Sequence, residues 1–495
     1  MGARLARLGL LLAFVLASGC GSDAPPPNVL FVTLDTTRAD FLGCYGAPGN
    51  PTPALDALAA RGTRFDHAVV SSALTPVSHA SMFTGLHPYQ HGLRVMMADG
   101  GTRIDAAAPT LAEMCAARGY ATAAYSSAFP VSRHFGLERG FQAVDDMDAQ
   151  VVRAQSHDGL GWDVGRGQRR ADRTTRAALG FLDEVREPFL LWVHYWDPHD
   201  DKLLPPDTFQ ERFAARRGED LPRAAEQYAC EVSWVDRQFG LLWRALEERG
   251  LDENTIVVVI ADHGEGLGDG KELHGWSGHR ILYQEQMRVP CLVRVPGAPE
   301  GVVVDELVRA IDLLPTLMDL LDLPARRALA GSSLRAAIEG GATGPRWAYA
   351  EQVNRFDLNA AQLLERRPTD DLLHVVSDGA WKLHYRPSYP EQSELYHLAE
   401  DPREERNLWS THPRERQALL EELAAHEPWV LEPIPGQGGA LSPLALEILE
   451  SLGYAGGGEL SEQGAWEWAC PADDERRASR GPCGRCGAAT VPRAR

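Results

Sequence analysis

Apolar residues run unbroken through NVLFVTL at 28–34, FLLWVHYW at 189–196 and TIVVVIA at 255–261, and each run stops at a polar cluster. A continuous Val/Ile/Leu run bounded in this way is the pattern of a strand buried on both faces. Such strands form parallel sheets whose carboxyl ends open into a ligand crevice. The first run ends on Asp35, the third on Asp262 and His263, and the second reaches Asp197, Pro198 and His199. GYATAAYSS at 119–127 reads as a further strand. Between 224 and 250 the apolar positions Tyr228, Val232, Val235, Phe239, Leu242 and Leu246 recur every three or four residues, which predicts a helix with one buried stripe. From Asn28 to about residue 330 strands and amphipathic helices alternate, so the chain is of the α/β class, with a large mixed, mostly parallel sheet sandwiched by helices. The acidic, Gly- and Arg-rich stretch from about 145 to 170 reads as a loop. Beyond residue 345, WAYAEQV, LLHVVSDG and AWKLHYRP read as short strands.

Asp35, Asp262 and His263 would share one sheet rim, and oxygen and imidazole ligands converging there suit one divalent cation. Between the two aspartates lies LTPVSHASMFTG, with Thr75, Ser78 and His79. A hydroxyl beside such a cation can lose its proton and attack an ester, which makes Thr75 the candidate nucleophile. Each signal has a plainer reading. An aspartate at a strand end is as often a cap or ion-pair partner, and Ser78 at a helix start is a good cap as well as part of an anion cradle. His87 and His91 in HPYQHG read as structural turn residues, His194 as a buried strand residue, and Arg38 with Asp40 as a structural pair.

The order of these segments resembles the sulfatase family of the alkaline phosphatase superfamily, whose members carry D(D/T) after the first strand, CxPSRxxxxTG in the nucleophile loop and D(N/H)G after a later strand. Here those blocks read Asp35–Thr36, Thr75 to Gly85, and Asp262–His263–Gly264. TPALDALAARGTRFDHA, GLHPYQHGLR, TLAEMCAARGYATA, YACEVSWVDRQFG, LYQEQMRVPCLVRVPG and ELYHLAEDPREERNL follow in family order, so the resemblance covers about 28–412. It implies a catalytic domain over 28–330 and a small C-terminal α+β subdomain over 345–412, with a terminal helix in SPLALEILESLGYAGG and a loose tail within 413–495. It also implies a cation held by Asp35, Asp262 and His263, with Thr36 as a weak fourth ligand where many members have a second aspartate. Calcium is the family's ion; one carboxylate fewer and an imidazole shift the preference towards zinc or manganese.

Two departures matter. Thr75 stands where sulfatases have the Cys or Ser that becomes formylglycine, Val77 where the motif has Pro and His79 where it has Arg, so no formylglycine is expected. A threonine in that place resembles phosphodiesterase and phosphotransferase relatives of the superfamily. Ser126, Ser127 and Ala128 stand where a GKWH-like segment supplies substrate-binding Lys and His. His199, matching the family's PH histidine, and His279, where a lysine is common, are the candidate replacements in catalysis; His79 and His274 are the candidate substrate-binding residues.

The chain has 495 residues, 44% hydrophobic and 24% charged, and a net charge of -20, which argues against nucleic acid or an anionic membrane surface as a partner. The expected substrate is a small-molecule or glycan ester. MGARLARLGLLLAFVLASGC has two arginines, a short apolar stretch and small residues before Cys20, which reads as a lipoprotein-type signal peptide over 1–20. Cys20 would then carry a lipid anchor on an exported, periplasmic or cell-surface protein, with Pro25–Pro27 as tether; plain secretion is the alternative. Cys115, Cys230 and Cys291 lie in apolar patterns and read as buried thiols, and Cys470, Cys483 and Cys486 sit in the tail. The reading is an ester hydrolase acting on sulfate or phosphate esters. A phosphotransferase, or a catalytically silent module that binds anionic glycans, is the alternative.

Overall fold

The computed structural model describes residues 25–98, 100–147, 167–199, 203–216, 223–267, 274, 276–325 and 327–426, with short strands at 430–431 and 466–467. The predicted terminal helix, the tail cysteines, residues 1–20 and most of the 145–170 loop lie outside the described residues.

Eight strands form the main sheet: β1 (Asn28–Leu34), β2 (Thr63–Val69), β3 (Ala121–Tyr125), β4 (Ala143–Asp145), β5 (Phe189–Tyr195), β6 (Thr255–Ala261), β7 (Arg288–Arg294) and β8 (Val302–Arg309). Their order is β4-β3-β5-β1-β6-β7-β2-β8. All run parallel except β7, which is antiparallel to both β6 and β2. The unbroken apolar runs are the three central strands, and every residue of β1, β5 and β6 is buried, as strands covered on both faces require.

Helices α1 (Pro53–Ala60), α2 (Thr75–Thr84), α3 (Ala171–Glu184), α4 (Arg223–Glu248) and α5 (Leu313–Leu320) supply that cover. The predicted 224–250 helix is α4, and its stripe residues Tyr228, Val232, Val235, Phe239, Leu242 and Leu246 are all buried. Its Asp236 carboxylate accepts from the Ala54 and Leu55 amides at 3.3 and 2.8 Å, capping α1 from a distant segment. Every residue of α2 is buried. It lies against the central strands, with Phe83 tilted over Phe31 at 5.4 Å and edge-on to Trp192 at 4.8 Å.

A second sheet, antiparallel, contains β9 (Ala348–Gln352), β10 (Leu373–Ser377), β11 (Trp381–Tyr385) and β12 (Glu394–His397) in the order β12-β11-β10-β9. Helix α6 (Pro413–Ala425) packs on it, and its Leu419, Leu420 and Leu423 share one core with Leu383, Leu395 and Tyr349. The subdomain therefore runs through α6, and the boundary expected at residue 412 falls too early. Cys115, Cys230 and Cys291 are free and buried, as expected. Among the described residues no helix is long and apolar enough to cross a membrane.

Candidate active site

Strand register brings the ligand candidates together. Leu34 pairs with Tyr195 on one side and Ala261 on the other, so Asp35 and Asp262 leave the sheet abreast at the same edge. Asp35 Oδ2 accepts from His194 Nε2 at 3.0 Å. Asp262 Oδ1 accepts from the amides of Thr36 at 3.0 Å and His263 at 2.8 Å. His263 Nδ1 donates to the Gly264 carbonyl at 2.9 Å, which leaves the Nε2 lone pair aimed between Asp262 Oδ2 at 3.5 Å and Thr75 Oγ1 at 3.2 Å. One ligand atom each from Asp35, Asp262 and His263 lie within 4.8 Å of one another.

This cluster has the chemistry of a cation site. Asp35 Oδ1, Asp262 Oδ2 and Thr36 Oγ1 are buried without a hydrogen-bond partner, a costly arrangement for polar oxygens unless a ligand meets them. Burial, then the facing Asp262 and Glu265, push the Asp35 carboxyl well above the ordinary range, so an ionised pair needs positive charge between its members. Two carboxylates, a hydroxyl and an imidazole suit a divalent ion. Thr36 holds a left-handed φ of +46°, rare for a β-branched residue, and is fixed there by its amide bond to Asp262 and by Tyr228 Oη, which donates to its carbonyl at 2.6 Å.

Thr75 opens α2, preceded by extended Leu74 (φ -142°) and followed by Pro76. Its hydroxyl thus sits at the positive end of a helix dipole. Ser78 Oγ donates to the Asp262 carbonyl at 2.6 Å, tying α2 to the end of β6. His79 Nδ1 donates to the Thr75 carbonyl at 2.8 Å and lies 3.8 Å from Asp262 Oδ2, so this fully buried ring faces the carboxylates from below.

His279 and His199 complete the histidine face. The His279 ring lies 4.7 Å from that of His263 and 5.3 Å from that of His199, which stacks on Trp196 at 3.8 Å. Burial, then neighbouring histidines, lower both well below the usual imidazole range, so near pH 7 both are neutral N–H donors. His274 is not brought in. Its Nδ1 meets Glu285 Oε1 at 3.2 Å, its Nε2 meets the Glu404 carbonyl at 3.2 Å, and it stacks on Tyr283 at 3.3 Å. Asp197 caps α3 by accepting from the Ala171 amide at 2.9 Å. Arg38 pairs with Asp40 at 2.7 Å, as the plain reading expected.

Two residues escaped the sequence reading. His194 orients Asp35 across adjacent strands, and its own strand pattern showed only burial. Glu265 lies 3.4 Å from His279 Nδ1. Burial pushes its carboxyl up to about 8, so it holds a proton at neutral pH. DHGE places Glu265 three residues past the candidate ligand Asp262, which is the available signal.

A family model described as Sulfatase matches residues 27–323, and one described as N-sulphoglucosamine sulphohydrolase, C-terminal, matches residues 272–426. The chain is 23% identical to the N-acetylglucosamine-6-O-sulfatase of Bacteroides thetaiotaomicron, covering 83% of this chain and 89% of that protein. It is 28% identical to human arylsulfatase A, covering 81% of this chain and 86% of that protein. Among solved structures, the phosphonate monoester hydrolase of Agrobacterium radiobacter shares the fold with a TM-score of 0.66 at 23% identity, covering 81% of this chain and 95% of that one. With the Sulfatase model matched over residues 27–323, more than half of the chain, the chain belongs to the sulfatase family.

Proposed function

We propose that Thr75 is the nucleophile of a cation-dependent hydrolysis directed at phosphorus esters, with sulfate esters as the competing substrates. The observation that carries this reading is the Thr75 hydroxyl, 3.2 Å from His263 Nε2 and beside the unsatisfied oxygens of Asp35 and Asp262. The neighbouring Ser78 hydroxyl is committed to the Asp262 carbonyl at 2.6 Å, which favours Thr75 over it. Asp35, Asp262, His263 and Thr36 would hold a divalent cation, whose positive charge would favour the deprotonated form of the Thr75 hydroxyl. The start of α2 adds its dipole to the same point. His199 and His279 offer N–H groups to the remaining ester oxygens, and the His279–Glu265 pair holds a proton for the departing oxygen. Attack by the Thr75 oxygen on phosphorus breaks the bond to the departing oxygen, which takes that proton and leaves as the alcohol; water then cleaves the Thr75 ester, releasing phosphate and restoring the hydroxyl.

The glycan sulfatases among the relatives support an anionic carbohydrate ester as substrate. Calcium, zinc and manganese all suit the donor set. The lipoprotein-type leader, read from residues 1–20, supports an exported enzyme anchored through Cys20.

The test is turnover of paired aryl sulfate, phosphate monoester and phosphodiester substrates by cation-loaded protein and by Thr75→Val. Valine keeps the volume and removes the hydroxyl. The expected result is phosphoester turnover reduced by at least about 10⁴-fold in the variant, about 5 kcal/mol of barrier. Sulfate turnover that survives the substitution would place the nucleophile elsewhere.

A further inference from the structure

The backbone that carries His279 is held from outside the main domain. Just past this residue the chain takes left-handed φ values at Arg280 (+84°) and Leu282 (+60°), which residues with side chains adopt only when their surroundings over-determine them. The C-terminal subdomain supplies those surroundings. Three consecutive carbonyls accept from it: Arg280 O from Asn354 Nδ2 at 3.1 Å, Ile281 O from His384 Nε2 at 2.7 Å, and Leu282 O from Lys382 Nζ at 2.8 Å. The Gln284 amide donates to Glu404 Oε2 at 2.6 Å, and Lys382 pairs with Glu404 at 2.7 Å, both buried. Arg280 reaches Asp357 at 3.0 Å. From the main-domain side, Gly266 and Gly278 exchange two backbone hydrogen bonds at 2.8 and 2.9 Å, and Gln286 Oε1 accepts from the Ile281 amide at 2.8 Å.

Apolar contacts carry no direction, whereas hydrogen bonds to successive carbonyls fix the orientation of each peptide plane. With the planes that follow Arg280, Ile281 and Leu282 held from the subdomain, the His279 carbonyl held by Trp276 Nε1 at 3.0 Å and Gly278 held by Gly266, the direction of the His279 Cα–Cβ bond is set. We infer that this row of donors is a latch: Asn354, Lys382 and His384 are positioning residues that aim His279 at the ester, and the C-terminal subdomain thereby acts in the reaction although it contributes none of the candidate ligands. The inference rests on the reading that His279 takes part in hydrolysis.

The test is a double-mutant cycle on the cation-loaded full chain. His384→Leu removes the donor to Ile281, His384→Gln keeps an N–H at similar reach, and each is measured with His279 intact and in the His279→Ala background. Misplacing a reacting group by about 1 Å costs up to about 100-fold, so His384→Leu is expected to lower kcat/KM by about 10- to 100-fold when His279 is present and by less than about twofold when it is absent. His384→Gln is expected to restore most of the loss. Asn354→Ala, which leaves the Lys382–Glu404 pair intact, gives the same comparison should His384→Leu fold poorly. Equal losses in both backgrounds would overturn the latch, because a general loss of folded protein does not depend on His279. Native kcat/KM in His279→Ala alone would instead overturn the reading of the site.

Discussion

His194 makes a test of the cation site that leaves every proposed ligand in place. Its Nε2 donates to Asp35 Oδ2 at 3.0 Å, and both groups are fully buried. In His194→Leu that oxygen loses its donor and the carboxylate loses the contact that aims its other oxygen, Oδ1, at Asp262 and His263. Hydrogen bonds of this kind to a ligating group typically contribute 10- to 100-fold in metal affinity, or about 1.4–2.7 kcal/mol. His194→Gln, with an amide N–H near the same place, is expected to recover most of it. The assay is calorimetric titration of chelator-stripped protein with calcium, manganese and zinc in turn. Thermal unfolding in excess cation checks the fold. A folded His194→Leu protein that binds its preferred ion within about twofold of the native affinity would refute the claim that this bond orients the ligand.

Removing the cation is expected to abolish ester turnover and lower the unfolding temperature, both restored on readdition; at 100 times Kd a bound ion stabilises by about 2.7 kcal/mol. Acid should weaken the fold through His91, whose Nδ1 accepts from the Leu93 amide at 3.3 Å while Nε2 meets Ser81 Oγ at 3.0 Å, an arrangement only the neutral ring can make. Burial, with Arg94 nearby, lowers its pKa to about 3. A depressed folded value means stability is complete above the unfolded pKa of about 6.5 and is lost as pH falls from there, by about 2 kcal/mol at pH 5. Urea unfolding at pH 7.5 and 5 should therefore show a flatter pH dependence in His91→Gln. Gly264→Ala would set a Cβ into the Glu285 carbonyl oxygen, forcing the turn that carries Asp262 and His263 away from the segment that carries His279. Overpacking of this kind costs about 1–3 kcal/mol, and cation affinity and turnover should fall together.

The strands β1, β5 and β6, and the aspartates at the ends of two of them, were legible because strands buried on both faces leave an unbroken apolar signature. The place of Thr75 beside His263 was legible because its hydroxyl falls at a fixed position in an ordered series of blocks. His194 was not, since the bond that gives it a role runs between strands whose register no local pattern encodes. The latch was invisible for the same reason: His384 lies 103 residues from Ile281. His274 was grouped with the site from its place in the sequence, whereas its partners in the structure are Glu285, Glu404 and Tyr283. The end of the subdomain was set too early because RERQALLEEL is dominated by charge, and Leu419, Leu420 and Leu423 show as a core face only when the sheet they cover is present.

The single reversed strand of the main sheet has a consequence for how this site can change over time. Because β7 runs against β6, with Ile260 opposite Cys291 and Val257 opposite Arg294, the chain leaves β6 and re-enters β7 at the same sheet edge. The segment 262–287, which carries Asp262, His263, Glu265 and His279, is therefore an excursion whose two ends are anchored side by side. Lengthening such an excursion adds little closure entropy, about 0.6 kcal/mol for each doubling, and shifts no strand register. New substrate contacts can thus be inserted between the ligands and the latch while the sheet below stays as it is.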